Sequence, residues 1–213
     1  MEILRVHTRR SSGAAIAQAA AALRAGKLVI FPTETLYGLG ADALNTNAVQ
    51  AIFTVKRRPA HKPIIVLIAS YAQLALLAAS VSPTARALMR AFWPGPLTIV
   101  FPAKKSLPRA LTSGTGTVAV RLTAHPIARA LIHAAGTPLT ATSANVSGQS
   151  DHQTLGPILK RLAGARRIAV ALDAGITPSH IPSTVIDATK NPPVIVREGV
   201  ISKKTIARVT PLS

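Results

Sequence analysis

Apolar residues in this chain fall into short blocks separated by polar, glycine- or proline-marked breaks, and two periodicities alternate along it. Residues 27–31, 64–68, 97–101, 117–122, 137–142, 168–172, 183–186 and 194–196 form short apolar or alternating runs. Their length and composition predict strands. Between them the apolar positions recur at helical spacing. A first helix opens at Ser11 or Ser12, carries Ile16, Ala20 and Leu23 on one face and stops at Gly26. A second begins near Asn45 or Thr46, turns Val49, Ile52 and Phe53 to one side and must end before Pro59. Ser70 caps a helix through Leu77, Ser82 and Pro83 open one that Pro94 and Gly95 close, and Pro126 starts one that runs to Gly136. Further helices are expected over 155–162 and 202–209. This alternation predicts an α/β fold, a twisted β-sheet flanked by helices. The closely spaced final strands make the sheet mixed, not purely parallel. No internal repeat, low-complexity tract or linker interrupts it, which predicts a single domain over 1–213 with its core at about 13–200.

Composition narrows this picture. The chain is 48% hydrophobic but only 3% aromatic, so its core must be built from small and aliphatic side chains. No run approaches the ~18 apolar residues of a membrane helix, so no membrane partner is expected. Lys and Arg number 25 against 7 Asp and Glu, a formal charge of +18 that must be met by nucleotide phosphates, by RNA or by solvent counterions. The absence of cysteine excludes disulfides, thiolate nucleophiles and Cys-ligated zinc. The N-terminal residues have the Arg, Ser and Ala bias of a transit peptide, yet their helical pattern reads as structure, and a cytoplasmic location is the default.

Several strands deliver hydroxyl, amide or guanidinium groups at or just beyond an end: Thr33 and Thr35, Arg121, Ser143 and Asn145, Ser183, and Arg197. Ligands of open α/β sheets sit beyond strand ends, so these groups are candidates for one crevice. The bland alternative is that Ser, Thr and Asn form turns. Lys56, Arg57 and Arg58 end a helix, where one cation complements the dipole. With Lys62 nearby, the cluster suits phosphate oxygens better than the dipole alone requires. Residues 38–43 match G-x-G-x-x-A weakly, with no acidic residue at the next strand to hold a ribose, which disfavours a nicotinamide-dependent oxidoreductase. There is no Walker lysine motif and no G-x-S-x-G elbow. The carboxylates Glu2, Glu34, Asp42, Asp151, Asp173, Asp187 and Glu198 are scattered, and the six histidines lack metal-ligand spacing. No protein metal site is expected, and a magnesium ion would arrive on substrate phosphates.

Six segments occur in one order: FPTETLYGLGADA, the K-x-R of Lys56 and Arg58, WPGPLTIVFPA, VAVRLTAHP, TSANVSG and STVID. Together they resemble the YrdC-type threonylcarbamoyl-AMP synthases over nearly the whole chain. The resemblance implies an enzyme that joins L-threonine, bicarbonate and ATP into L-threonylcarbamoyladenylate and releases pyrophosphate. Its product would pass to downstream tRNA threonylcarbamoyl transferase proteins, which modify an adenosine in tRNAs reading codons that begin with A. It also implies a basic concave groove. By motif, Thr35 and Arg121 would hold L-threonine, Ser183 would contact it, and Thr33 lies in the same turn. Lys56, Arg58, Ser143 and Asn145 would form the catalytic set. Arg58, Lys62, Thr117, Ser143 and Arg197 would surround the nucleotide, with Mg²⁺ bound to ATP, and Ala141 would act through its backbone. Two departures stand out: Leu67 replaces a histidine of many longer members, and the end at Ser213 places the chain with the short form. The motif gives Arg57 no role. The competing expectation is a non-catalytic protein that binds tRNA, double-stranded RNA or the ribosome through the same groove. TSAN favours the synthase.

Overall fold

The structure, a computed structural model, describes residues 1–7, 12–145, 152–162 and 164–212. Ser11, Asp151 and the Val146, Ser147 and Gly148 of TSANVSG lie outside the described residues. The elements run β1 (Glu2–Arg5), α1 (Gly13–Arg24), β2 (Leu28–Phe31), β3 (Gly38–Gly40), α2 (Thr46–Lys56), β4 (Ile65–Ile68) and α3 (Tyr71–Leu74). They continue α4 (Pro83–Phe92), β5 (Leu97–Pro102), α5 (Arg109–Thr112), β6 (Thr117–Leu122), α6 (Pro126–Ala135), β7 (Leu139–Thr140) and β8 (Thr142–Ser143). The last are α7 (Leu155–Arg161), β9 (Ile168–Asp173), β10 (Thr184–Asp187), β11 (Val194–Arg197) and α8 (Lys203–Ala207). No helix among the described residues is long and apolar enough to cross a membrane.

The mixed α/β class is as expected, but the strands divide between two sheets. One has the order β1-β9-β2-β3-β8, the other β11-β10-β5-β6-β4-β7. Both sheets mix parallel pairs (β1 with β9, β2 with β9, β4 with β6, β5 with β10) with antiparallel ones. The cause of the division is local. The expected strand at 137–142 is broken at Ala141: β7 pairs with β4 in one sheet, and β8 pairs with β3 in the other. Ala141 donates its N–H to Ile65 at 2.8 Å, so the chain stays bonded as it crosses. The glycines read as a turn fingerprint are in fact β3. A Cβ on Gly40 would strike the Phe31 ring and press on the Thr140 carbonyl, which explains why this strand tolerates glycine.

Strand β2 is buried on both faces, and its alternating residues enter two different cores. Leu28 and Ile30 join the larger cluster with Leu39, Ile52, Val66 and Ile99. Val29 and Phe31 join a second one with Leu23, Leu131 and Val170, roofed by α1 and α6. Burial of side chains of this size contributes roughly 1.5–3 kcal/mol each, so both faces of β2 hold its register.

Helix ends explain how the site residues are aimed. Asn45 accepts the Ala48 N–H at 3.1 Å and starts α2. Its C-terminus stops at Arg57, a left-handed residue with φ of 50°, so Lys56 and Arg58 diverge instead of continuing one helical face. Ser82 likewise caps α4 through the Ala85 N–H. Ser12 precedes α1 but bonds the backbone of His7, not its own helix. Strand β1, exposed and half polar, had no apolar run to mark it.

Candidate active site

Beside the crossing at Ala141 lies a cleft of about 170 Å³. Its walls are the turn after β2, the residues following α2, one face of β4 and β6, the β8 segment, and the residues flanking β10 and β11. Thr33, Thr35, Arg58, Arg121, Ser143, Ser183 and Arg197 all line it, with Ala141, Ile65 and Leu67 as its apolar part. Groups spread from position 33 to position 197 thus meet in one place. Lys56, Lys62, Thr117 and Asn145 do not line it.

At one end, Arg121 is buried and paired with Glu34: Nη2 lies 2.7 Å from Oε1, and Nε donates to the same oxygen at 3.3 Å. Its Nη1 donates to the Thr35 hydroxyl at 3.1 Å. Nη2 is thus ion-paired with Glu34, and the Nη1 side of the guanidinium bonds the Thr35 hydroxyl. Thr33 builds the turn that presents these groups. Its hydroxyl donates to the Leu36 carbonyl at 2.7 Å and accepts the N–H groups of Thr35 and Leu36 at 3.2 Å. Burial raises the Glu34 pKa, but the charge of Arg121 and hydrogen bonds from Arg121, Thr123 and Ala124 outweigh it and hold the carboxyl below its ordinary range. Behind the pair, burial pulls the His125 imidazole below its ordinary value, and its Nδ1 has no hydrogen-bond partner.

On the opposite wall Arg197 hooks onto Ser183, with Nη2 donating to the carbonyl at 2.7 Å and to the hydroxyl at 3.2 Å. Thr98 meets that hydroxyl from β5 at 2.8 Å. A Cβ on Gly199 would collide with the backbone of Pro182 and Ser183, so glycine there lets β11 close over this turn.

The cations after α2 take different places. The Arg58 guanidinium is half-buried in the cleft wall and donates to two neutral carbonyls, Lys62 at 3.1 Å and Pro63 at 2.8 Å. Lys62 thus braces Arg58 with its backbone. Burial lowers the Arg58 pKa, though a guanidinium stays charged throughout the neutral range. Lys56 is 1% exposed and fastened to the TSAN turn. Its ammonium donates to the Ser143 carbonyl, and to the Asn145 carbonyl and side-chain oxygen at 2.5 and 2.8 Å. Ser143 bonds that same side-chain oxygen at 2.9 Å. Thr117 is half-buried and shares its hydroxyl with Thr115 at 2.9 Å.

Reasoning from sequence missed Glu34, Tyr37, Thr98 and Gly199. Tyr37 lines the cleft, and its hydroxyl donates to the Gly175 carbonyl at 2.9 Å and accepts the Ala174 N–H at 3.0 Å. Burial, the main cause, pushes its pKa up to about 12, so it remains a neutral tie between the residue before β3 and the turn after β9. The available signal for Glu34 was its place between two hydroxyl residues, which a carboxylate in a scattered set does not advertise. No carboxylate lines the cleft, and no group of three or more His, Asp or Glu occurs among the described residues.

A family model named for Sua5, YciO and YrdC, and described as telomere recombination, matches residues 21–199. A threonylcarbamoyl-AMP synthase of Pyrococcus abyssi is 46% identical over 191 residues, 90% of this chain and 56% of that protein. One of Bacillus subtilis is 45% identical over 195 residues, 91% of this chain and again 56% of the relative. The chain therefore spans little more than half the length of these two. The crystal structure of P. abyssi Sua5 complexed with L-threonine superposes with a TM-score of 0.94 at 42% identity, covering 100% of this chain and 63% of that one. Shared fold, matched motifs and alignment over nine-tenths of the sequence agree: the chain belongs to the Sua5/YciO/YrdC family.

Proposed function

We propose that this cleft makes L-threonylcarbamoyladenylate and pyrophosphate from L-threonine, bicarbonate and ATP. The observation that carries the reading is Arg121, a guanidinium on the cleft wall with one edge paired to Glu34 and with Nη1 on the Thr35 hydroxyl. The carboxylate of a small amino acid suits the Nη1 side. Relatives named threonylcarbamoyl-AMP synthase, and a Sua5 that binds L-threonine, support the choice of amino acid.

On this reading Thr35 and Ser183 hold the amino acid with Arg121, while Thr33 shapes the turn. Arg58, Ser143 and Arg197 receive the nucleotide and its phosphates. Lys56 acts through the turn it fastens, together with Asn145, and Lys62 acts through Arg58. Thr117 would need a nucleotide that extends past the cleft wall. The amine of threonine and bicarbonate give a carbamate with loss of water. A carbamate oxygen then attacks the α-phosphorus, the bond to the β,γ-diphosphate breaks, and pyrophosphate leaves. Charge grows on phosphate oxygens, so the work of the protein is positioning and electrostatic stabilisation by fixed cations, without a covalent intermediate. A cleft walled by hydroxyls and guanidinium groups, without carboxylates, offers little to a bare divalent ion. Magnesium would enter on the triphosphate and supply charge neutralisation there. The product would go to tRNA threonylcarbamoyl transferase proteins, in the cytoplasm, and the net charge of +18 suits contact with tRNA or double-stranded RNA as well.

Purified protein is expected to release pyrophosphate when L-threonine, bicarbonate and ATP are all present, and none when any one is omitted. Release that does not need threonine overturns the reading. So does salt-sensitive binding of double-stranded RNA without turnover, which would leave a binding protein.

A further inference from the structure

A guanidinium carries five N–H donors in a planar fork, and how they are used decides what else it can bind. In Arg121 the Nε/Nη2 edge faces Glu34, with Nε donating to Oε1 at 3.3 Å and Nη2 at 2.7 Å from that oxygen. On the other side of the fork Nη1 donates once, to Thr35 at 3.1 Å, and Arg121 lines the cleft there. Glu34 is itself held. Oε1 also accepts the Ala124 N–H at 3.0 Å, and Oε2 accepts the Thr123 hydroxyl at 2.6 Å. The Thr123 hydroxyl in turn accepts the His125 N–H at 3.2 Å, which ties it to the start of α6. A carboxylate engaged in this way is no general base, and it does not line the cleft.

We infer that Glu34 is a positioning residue for the amino-acid substrate, gripping one edge of the Arg121 guanidinium so that the Nη1 side, beside Thr35, meets the substrate carboxylate. The inference rests on the threonine-binding reading above. Its physical content is a trade. The pair is neutral overall, so attraction for an incoming carboxylate comes from directed N–H groups and not from net charge. Without Glu34 the guanidinium would gain freedom and lose direction.

The test is the split between substrates in the steady state. Glu34→Ala is expected to raise the threonine KM by about tenfold or more while the ATP KM stays within about twofold. Glu34→Gln keeps an oxygen for Arg121 and Ala124 and is expected to return the threonine KM to within about threefold of the parent. A folded Ala variant with an unchanged threonine KM overturns the inference, as does a Gln variant as impaired as the Ala one. If Glu34→Ala does not fold, Glu34→Asp replaces it. Asp keeps the charge but loses reach, so it should be more impaired than Gln, and the reverse order overturns the inference. Threonine-dependent pyrophosphate release by the parent protein separates the two layers. Release without any effect of the Glu34 variants sinks this inference alone, whereas no release in the parent sinks the proposed function and this inference with it.

Discussion

The two ends of the cleft hold their arginines in opposite ways. Arg121 is buried against a carboxylate that cancels its charge, whereas Arg58 is half-buried against the carbonyls of Lys62 and Pro63, which orient it without cancelling anything. The difference matches the ligands proposed for each. A carboxylate needs placement more than charge. A triphosphate brings several negative charges, and its reaction builds more, so a cation left uncompensated is worth more there. A compensated buried ion should matter first for folding and an uncompensated one first for function, and substitutions at the two ends can break that contrast.

The largest effect is expected at Arg121. Arg121→Ala strands the Glu34 carboxylate in a partly buried site, its side chain 16% exposed, so the loss should approach, from below, the about 3–5 kcal/mol of breaking a fully buried pair. Urea unfolding should show that loss, and threonine-dependent turnover should vanish in whatever fraction stays folded. Full stability in the variant would mean that the pair is not buried in solution as it is here.

Lys56→Met comes next. It removes the donor to Ser143 and Asn145 and leaves their oxygens unsatisfied, at a cost of roughly 1–3 kcal/mol for each group that finds no new partner. Both stability and pyrophosphate release should fall, because the TSAN turn loses its fastening. A stable variant that loses only ATP affinity would instead make Lys56 a direct phosphate ligand.

Arg58→Ala should do the reverse of Arg121→Ala. The neutral carbonyls it leaves lie at a half-buried site, so unfolding should change little. The loss of charge-assisted bonds worth roughly 1.5–3 kcal/mol predicts a drop of about ten- to a hundredfold in kcat/KM for ATP. Unchanged pyrophosphate release by the folded variant would remove Arg58 from the phosphate site.

How much of this contrast was legible in the sequence differs between its parts. Convergence was legible, because a hydroxyl or guanidinium at a strand end is a local feature and α/β topology brings strand ends together. The direction in which each cation points was not. Lys56, Arg57 and Arg58 read as one patch, yet the left-handed turn at Arg57 sends Lys56 inward and Arg58 to the cleft. Nor did the sequence mark Glu34 as the partner of a residue 87 positions away. Division into two sheets hid for the same reason. A six-residue segment that reads as one strand does not announce that Ala141 will cross between sheets, because the register of β7 and β8 is set by β4 and β3.

The smallest effect is a dependence on acid, and its sign follows from two depressed pKa values. Burial lowers His125, so the unfolded chain binds its proton first, and stability begins to fall as pH drops below the ordinary histidine value. Arg121 and the hydrogen bonds lower Glu34. Its contribution is therefore complete above the ordinary carboxylate pKa and is lost as pH falls through its depressed folded value. Thermal unfolding followed from neutral pH downward should lose stability in two stages, the histidine stage before the carboxylate stage. Glu34→Gln should flatten the lower stage and deepen the upper one, because the Glu34 charge counters the depression of the His125 pKa. A lower stage that persists unchanged in the Gln variant would place the acid sensitivity in other carboxylates. The end of the cleft at Arg121, proposed for the amino acid, would then be no more pH-linked than the end proposed for phosphate, where Arg58 stays charged throughout.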